Sequence, residues 1–136
     1  MIHFNYETDF LLKSEAQISN WILKTIESEG FKLEEINYVF CDDDYLHKLN
    51  VEFLNHDTLT DIISFDYSVG KIIQGDIFIS VERVADNAKD FNVSFEEEMY
   101  RVIIHGILHY CGYKDKTEVD AKLMRAKENH YLNALV

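Results

Sequence analysis

Proline is absent from the 136 residues, glycine occurs five times and cysteine twice. No proline-rich linker, low-complexity tract or internal repeat divides the chain, so residues 1–136 read as a single domain. Cys41 and Cys111 are too far apart for a CxxC motif and too few for a disulfide framework. Two reduced thiols in a cytoplasmic protein are expected. No apolar run is long enough to cross a bilayer, so no membrane-spanning helix is expected. Met1-Ile2-His3-Phe4-Asn5-Tyr6 has neither a basic n-region nor a long apolar stretch, so no signal peptide is expected. Positive charge is also scarce. Thirteen Lys and Arg stand against twenty-five Asp and Glu, a formal net charge of −12. Such a mean field repels nucleic acid, and any such partner would need a local basic patch or a carrier protein.

What is present is apolar residue, 47% of the chain, with aromatics spread from Phe4 to Tyr131. That is a globular composition with no sign of disorder. Ser14-Glu15-Ala16-Gln17 reads as a capping box, with Ile18, Trp21, Ile22 and Ile26 at helical spacing and Gly30 as the stop. Ile36, Tyr38 and Phe40 alternate as a strand, and Asp44 can cap a short helix through Leu46, Leu49 and Phe53. Ile62–Tyr67 and Ile72–Ile79 read as strands joined by the Ser68-Val69-Gly70 turn, a hairpin. Ser80 opens a helix carrying Val84, Ala85, Ala88 and Phe91. Ser94-Phe95-Glu96-Glu97 is a second capping box. Its helix runs to Gly112 and is surrounded by Met99, Val102, Ile103, Ile104, Ile107 and Leu108, so it belongs at the centre of the core. Thr117 and Asp120 cap a last helix through Leu123, Tyr131 and Leu132. The expected fold is α+β, a small mixed sheet packed with about five helices.

His105 and His109 lie four residues apart on the apolar helix. At 3.6 residues per turn they project within about 40° of each other, so both imidazoles can face one ion. A zinc ion that does chemistry takes three protein ligands and leaves a position for water or substrate. Gly112 can turn the chain back, which makes Asp115 the nearest candidate third ligand. Cys111 lies about 200° around the helix from His109 and points away. Two hydrogen-bonded core histidines are the plainer alternative, but each would need its own buried partner. The H-E-x-x-H metalloprotease pattern fails here, because Gly106 stands where its general base would be.

The string His105-Gly106-Ile107-Leu108-His109-Tyr110-Cys111-Gly112-Tyr113 closely resembles the H-G-x-L-H-x-x-G-Y-D-H signature of the YbeY family. Leu49-Asn50, Asp57, Thr60-Asp61-Ile62-Ile63-Ser64-Phe65 and Gly75-Asp76-Ile77 resemble further family segments, and Glu97 and Glu98 lead into the His helix. The likeness thus runs from about Ile36 onward. Asp115 takes the place of the family's third histidine, Lys114 that of its aspartate, Leu54 that of an arginine and Leu59 that of a proline. The resemblance implies a cytoplasmic, zinc-dependent endoribonuclease acting on single-stranded pre-rRNA of the small subunit, with one ion held by His105, His109 and Asp115. It implies no membrane and no DNA partner. Cleavage would be metal-assisted, with Ser64 as a substrate-facing candidate and no second acid or base identifiable.

Two other readings are a non-catalytic assembly factor with a structural metal, and a metallohydrolase of another substrate. Small-subunit ribosomal proteins or an assembly GTPase would then dock a chain too acidic to hold RNA unaided. Lys114, Lys116, Arg101 and Lys71 are the candidates for a local basic rim. If RNA is the partner, its binding should weaken steeply with salt, and neutralising Lys114 and Lys116 should flatten that dependence. Salt-insensitive binding measured by titration would point to the docked factor.

Overall fold

The order of the strands follows from two long apolar runs that end up side by side. The computed structural model describes residues 1–56 and 58–135, and Asp57 lies outside them. Strands β1 (Ile2–Tyr6) and β2 (Lys32–Cys41) pair in parallel, and helix α1 (Glu15–Ser28) makes the crossover that a parallel pair requires. After helix α2 (Asp43–Leu54), strand β3 (Ile62–Asp66) and strand β4 (Ile72–Ser80) form the expected antiparallel hairpin. Strand β4 then inserts parallel to β2, giving the order β1-β2-β4-β3. Helices α3 (Val81–Asp90), α4 (Phe95–Tyr110) and α5 (Glu118–Ala134) complete an α+β fold of one four-stranded mixed sheet and five helices among the described residues.

Alternation places Ile36, Tyr38 and Phe40 of β2 and Ile73, Ile77 and Ile79 of β4 on one face, all fully buried. Ile18, Trp21, Ile22 and Ile26 of α1 pack there together with the apolar surface of α4, forming one core. Cys41, Leu46 and Ile63 form a smaller cluster with Leu49, Phe65 and Phe78. Helix α5 is tied to α1 where Trp21 Nε1 donates to the Tyr131 carbonyl at 2.7 Å.

Three local expectations are corrected. Ser14 occupies the N-cap of α1 but makes no capping-box bond, because its backbone is left-handed (φ 58°, ψ 50°). The other members of that box are engaged elsewhere: Tyr6 Oη donates to Glu15, and Gln17 donates to the Leu135 carbonyl. Asp42, not Asp44, caps α2 by accepting from Tyr45 N at 2.8 Å. The β2 strand begins at Lys32 rather than Ile36, since it pairs along almost its whole length with β4. By contrast Ser80, Ser94 and Thr117 each cap their helices, accepting from Arg83 N, Glu97 N and Asp120 N.

Two glycines let α4 lie close on the sheet. A Cβ on Gly106 would come within 3.1 Å of Ile62 Cδ1 and Ile77 Cδ1. Gly106 is therefore a packing residue. At Gly75 a Cβ would collide with the Tyr110 ring and the Phe65 carbonyl. The Tyr110 hydroxyl sits there because it donates to Phe65 O at 2.9 Å, with Asp76 O at 3.3 Å. Gly75→Ala should destabilise the protein by about 1–3 kcal/mol, the usual range for overpacking a filled interior. A urea midpoint equal to wild type would mean that the Tyr110 ring is not seated over the strand.

Candidate metal centre

Helix α4 ends where its histidines need it to end. Gly112, at φ 98°, adopts the left-handed conformation. Tyr113 N then donates to Leu108 O at 3.1 Å and Gly112 N to His109 O at 3.0 Å, the paired bonds of a Schellman stop. The reversal brings Asp115 back over the helix end. His105 and His109 are partly buried, and the Asp115 carboxylate is the most open of the three.

Hydrogen bonds determine which nitrogen of each ring is bare. His109 Nδ1 lies 2.9 Å from the Tyr113 carbonyl, which can only accept, so Nδ1 carries the proton. His105 Nδ1 lies 2.6 Å from Glu128 Oε2. Burial would raise the Glu128 carboxyl, but hydrogen bonds from His105 and Arg101 bring it below its ordinary value. It is thus a carboxylate, and His105 Nδ1 donates to it. Both Nε2 lone pairs then face each other at 2.9 Å, with Asp115 Oδ2 at 3.2 Å from His105 Nε2 and 3.3 Å from His109 Nε2.

Three acceptors converging without a donor repel, so this arrangement calls for a shared proton or a cation. The donor set suits zinc. Bond lengths of 2.0–2.1 Å in a tetrahedron imply ligand separations of about 3.3 Å, and the three candidate atoms lie within 4.8 Å of one another. Glu128 and the Tyr113 carbonyl are the kind of outer partners that orient histidine ligands. Cys111 stays out of the group, and burial pushes its thiol up to about 12.

A cleft of about 520 Å³ opens beside His109 and Asp115, and Leu54, His56, Ser64 and Lys116 lie along it. Ser64 is exposed there. The basic rim is thinner than expected. Of its four candidates only Lys116 lines this cleft among the described residues. Arg101 is paired with Glu128 at 3.0 Å, and Lys71 Nζ sits 4.2 Å from the Phe31 ring centroid. The residue that sequence reasoning missed is Glu128. Its signal was a carboxylate on the buried stripe Met124, Glu128, Tyr131 of α5, where an apolar side chain belongs.

A family model described as endoribonuclease YbeY matches residues 3–136. An endoribonuclease YbeY of Flavobacterium johnsoniae is 69% identical over 129 residues, covering 95% of this chain and 93% of the relative. One of Flavobacterium psychrophilum is 60% identical over 132 residues, covering 97% and 94%. The solution structure of a Thermotoga maritima protein matches at a TM-score of 0.71 and 27% identity, over 99% of this chain and 89% of that one. These likenesses place the chain among the endoribonucleases, hydrolases that cut RNA at internal phosphodiester bonds. It belongs to the YbeY family. The resemblance read from the histidine string is borne out.

The His105–Glu128 pair has a titration signature. Burial lowers the imidazole, but the Glu128 hydrogen bond and charge, with Asp115 and Asp61 nearby, raise His105 above 6.5. Because folding raises this value, the contribution to metal-free stability is complete below 6.5 and is lost as pH rises through the folded-state value. In chelator-treated protein, proton NMR should find His105 titrating above 6.5, and Glu128→Gln should bring it down. An unaltered titration in that variant would break the assignment.

Proposed function

We propose that the protein is a zinc-dependent endoribonuclease that cuts single-stranded precursor rRNA of the small ribosomal subunit in the cytoplasm, with His105, His109 and Asp115 as the metal ligands. The observation that carries this reading is the convergence of two bare imidazole nitrogens and a carboxylate oxygen at 2.9–3.3 Å. Zinc bound there would supply Lewis acidity toward the phosphodiester. The chain's own groups do the rest. Glu128 and the Tyr113 carbonyl hold each ring in the tautomer that leaves Nε2 free. Asp115 brings an anionic ligand to the set. Lys116 offers the cleft a cation for the RNA backbone, and the Ser64 hydroxyl stands where a sugar or phosphate oxygen would pass.

The net charge of −12 favours delivery of this RNA by a protein partner, either small-subunit ribosomal proteins or an assembly GTPase. No helix of the described residues is long and apolar enough to cross a membrane. DNA and membrane have no place in this reading.

Protein purified without chelators should carry about one zinc per chain. His105→Ala should lose it, Asp115→Ala should hold it more weakly, and Glu128→Ala should bind roughly 10–100-fold more weakly. Chelation should abolish cleavage of single-stranded RNA and added zinc should restore it. Full occupancy in His105→Ala would move the metal elsewhere. Stoichiometric zinc without any cleavage would favour an assembly factor with a structural ion.

A further inference from the structure

A second cavity, of about 270 Å³, adjoins the candidate metal centre from the His105 side. Glu98 lines it, about two turns before His105 on the inward face of α4, and only 5% of its surface is exposed. Among the described residues its carboxyl makes no hydrogen bond and no ion pair. Its neighbours are otherwise engaged: Glu128 takes His105 and Arg101, and Asp61 takes Asn87 Nδ2 at 3.4 Å. Burial and the Asp61 charge push the Glu98 carboxyl up, and the Arg101 and Arg125 charges oppose that shift in favour of the ionised form, which only accepts. A carboxyl that lines a cavity without a protein partner is free to accept a hydrogen bond from whatever enters it.

The surroundings narrow what that ligand is. The cavity is smaller than the roughly 300 Å³ at which drug-sized ligands begin to fit, which suits a single ring system. Asp61, Glu98, Asp115 and Glu128 outnumber Arg101 and Arg125 around it, so a phosphate is disfavoured and a hydrogen-bond donor is favoured. Phe91, at the end of α3, lines the same cavity with 58% of its surface exposed, an aromatic face of the sort on which unstacked bases rest.

We propose that this cavity receives one nucleobase of the single-stranded RNA, stacked on Phe91, and that Glu98 reads it by accepting a hydrogen bond from an exocyclic amine. Carboxylates accept from the cytosine N4 amine, whereas uracil presents a carbonyl oxygen at that position and would leave Glu98 facing a second acceptor. The cavity therefore discriminates against uridine. This rests on RNA being the substrate of the adjoining site but not on the metal.

Stopped-flow anisotropy with labelled oligocytidine and oligouridine of equal length tests it. Wild-type protein should bind oligocytidine roughly tenfold more tightly. Glu98→Leu should remove the preference and raise Tm, since it replaces an unpartnered buried carboxyl with an apolar side chain. Glu98→Gln, which keeps a carbonyl acceptor in the same volume, should retain part of the preference. Equal affinities in wild type, or a preference that survives in Glu98→Leu, would overturn the proposal. If Glu98→Leu is less stable than wild type or fails to fold, the carboxyl is a structural group; a Glu98→Gln protein with an unaltered preference would then overturn the proposal too. Zinc-dependent cleavage with no base preference would sink this proposal and leave the metal reading standing. Zinc-free, inactive protein that still prefers cytidine would do the reverse.

Discussion

The close seating of α4 on the sheet is the constraint from which the site follows. Gly106 lets the helix approach until only the methyl groups of Ile62 and Ile77 separate its backbone from the strands, and Tyr110 locks its last turn over Gly75. Apolar residues on the remaining faces bury the helix in the core. His105 and His109 lie on the one stripe that neither sheet nor helix covers completely. Their mutual geometry is thus set by a rigid element with its backbone bonds satisfied, which is the condition for holding ligand atoms in place before an ion arrives.

Around that rigid centre the electrostatics are divided. Carboxylates dominate the His105 side, where Glu128 gathers Arg101 and, at 3.5 Å, Arg125. The His109 side opens into the cleft with Lys116 as its cation. An acidic surround retains a divalent ion and discourages a polyanion, so on the His105 side RNA would be held by its bases, while Lys116 meets its backbone in the cleft. Stacking and hydrogen bonding to bases are less sensitive to net charge than phosphate contacts.

Much of this was legible in the sequence because its signals are local. The α4 helix shows its cap at Ser94, its apolar surround and its Gly112 stop within nineteen consecutive positions. The His pair is a spacing on that same helix, and the β3–β4 hairpin is a turn between two apolar runs. What stayed hidden depends on distant partners. Strand β1 was missed because its residues acquire strand identity only by pairing with Ile36–Phe40, more than thirty positions away. Asp42, Asp43 and Asp44 are equivalent as caps by type. The choice is made by Ser80 and Arg83, which engage Asp43 at 2.6 and 2.8 Å and leave Asp42 to the helix. Glu128 and Glu98 look like ordinary helical charges until α5 and α4 are docked.

Glu29 has a consequence for how an ion would leave. It accepts from Tyr113 Oη at 2.7 Å and from Tyr131 Oη, and Lys127 pairs with it at 3.4 Å. One carboxylate at the end of α1 thereby fastens both α5, which supplies Glu128 to His105, and the turn whose carbonyl orients His109. The supports of both histidines thus meet at Glu29, next to the Trp21 bond that also ties α5 to α1. For an ion held by these residues, lifting of α5 from α1 would loosen both supports together, a route of release that lies outside the coordination sphere.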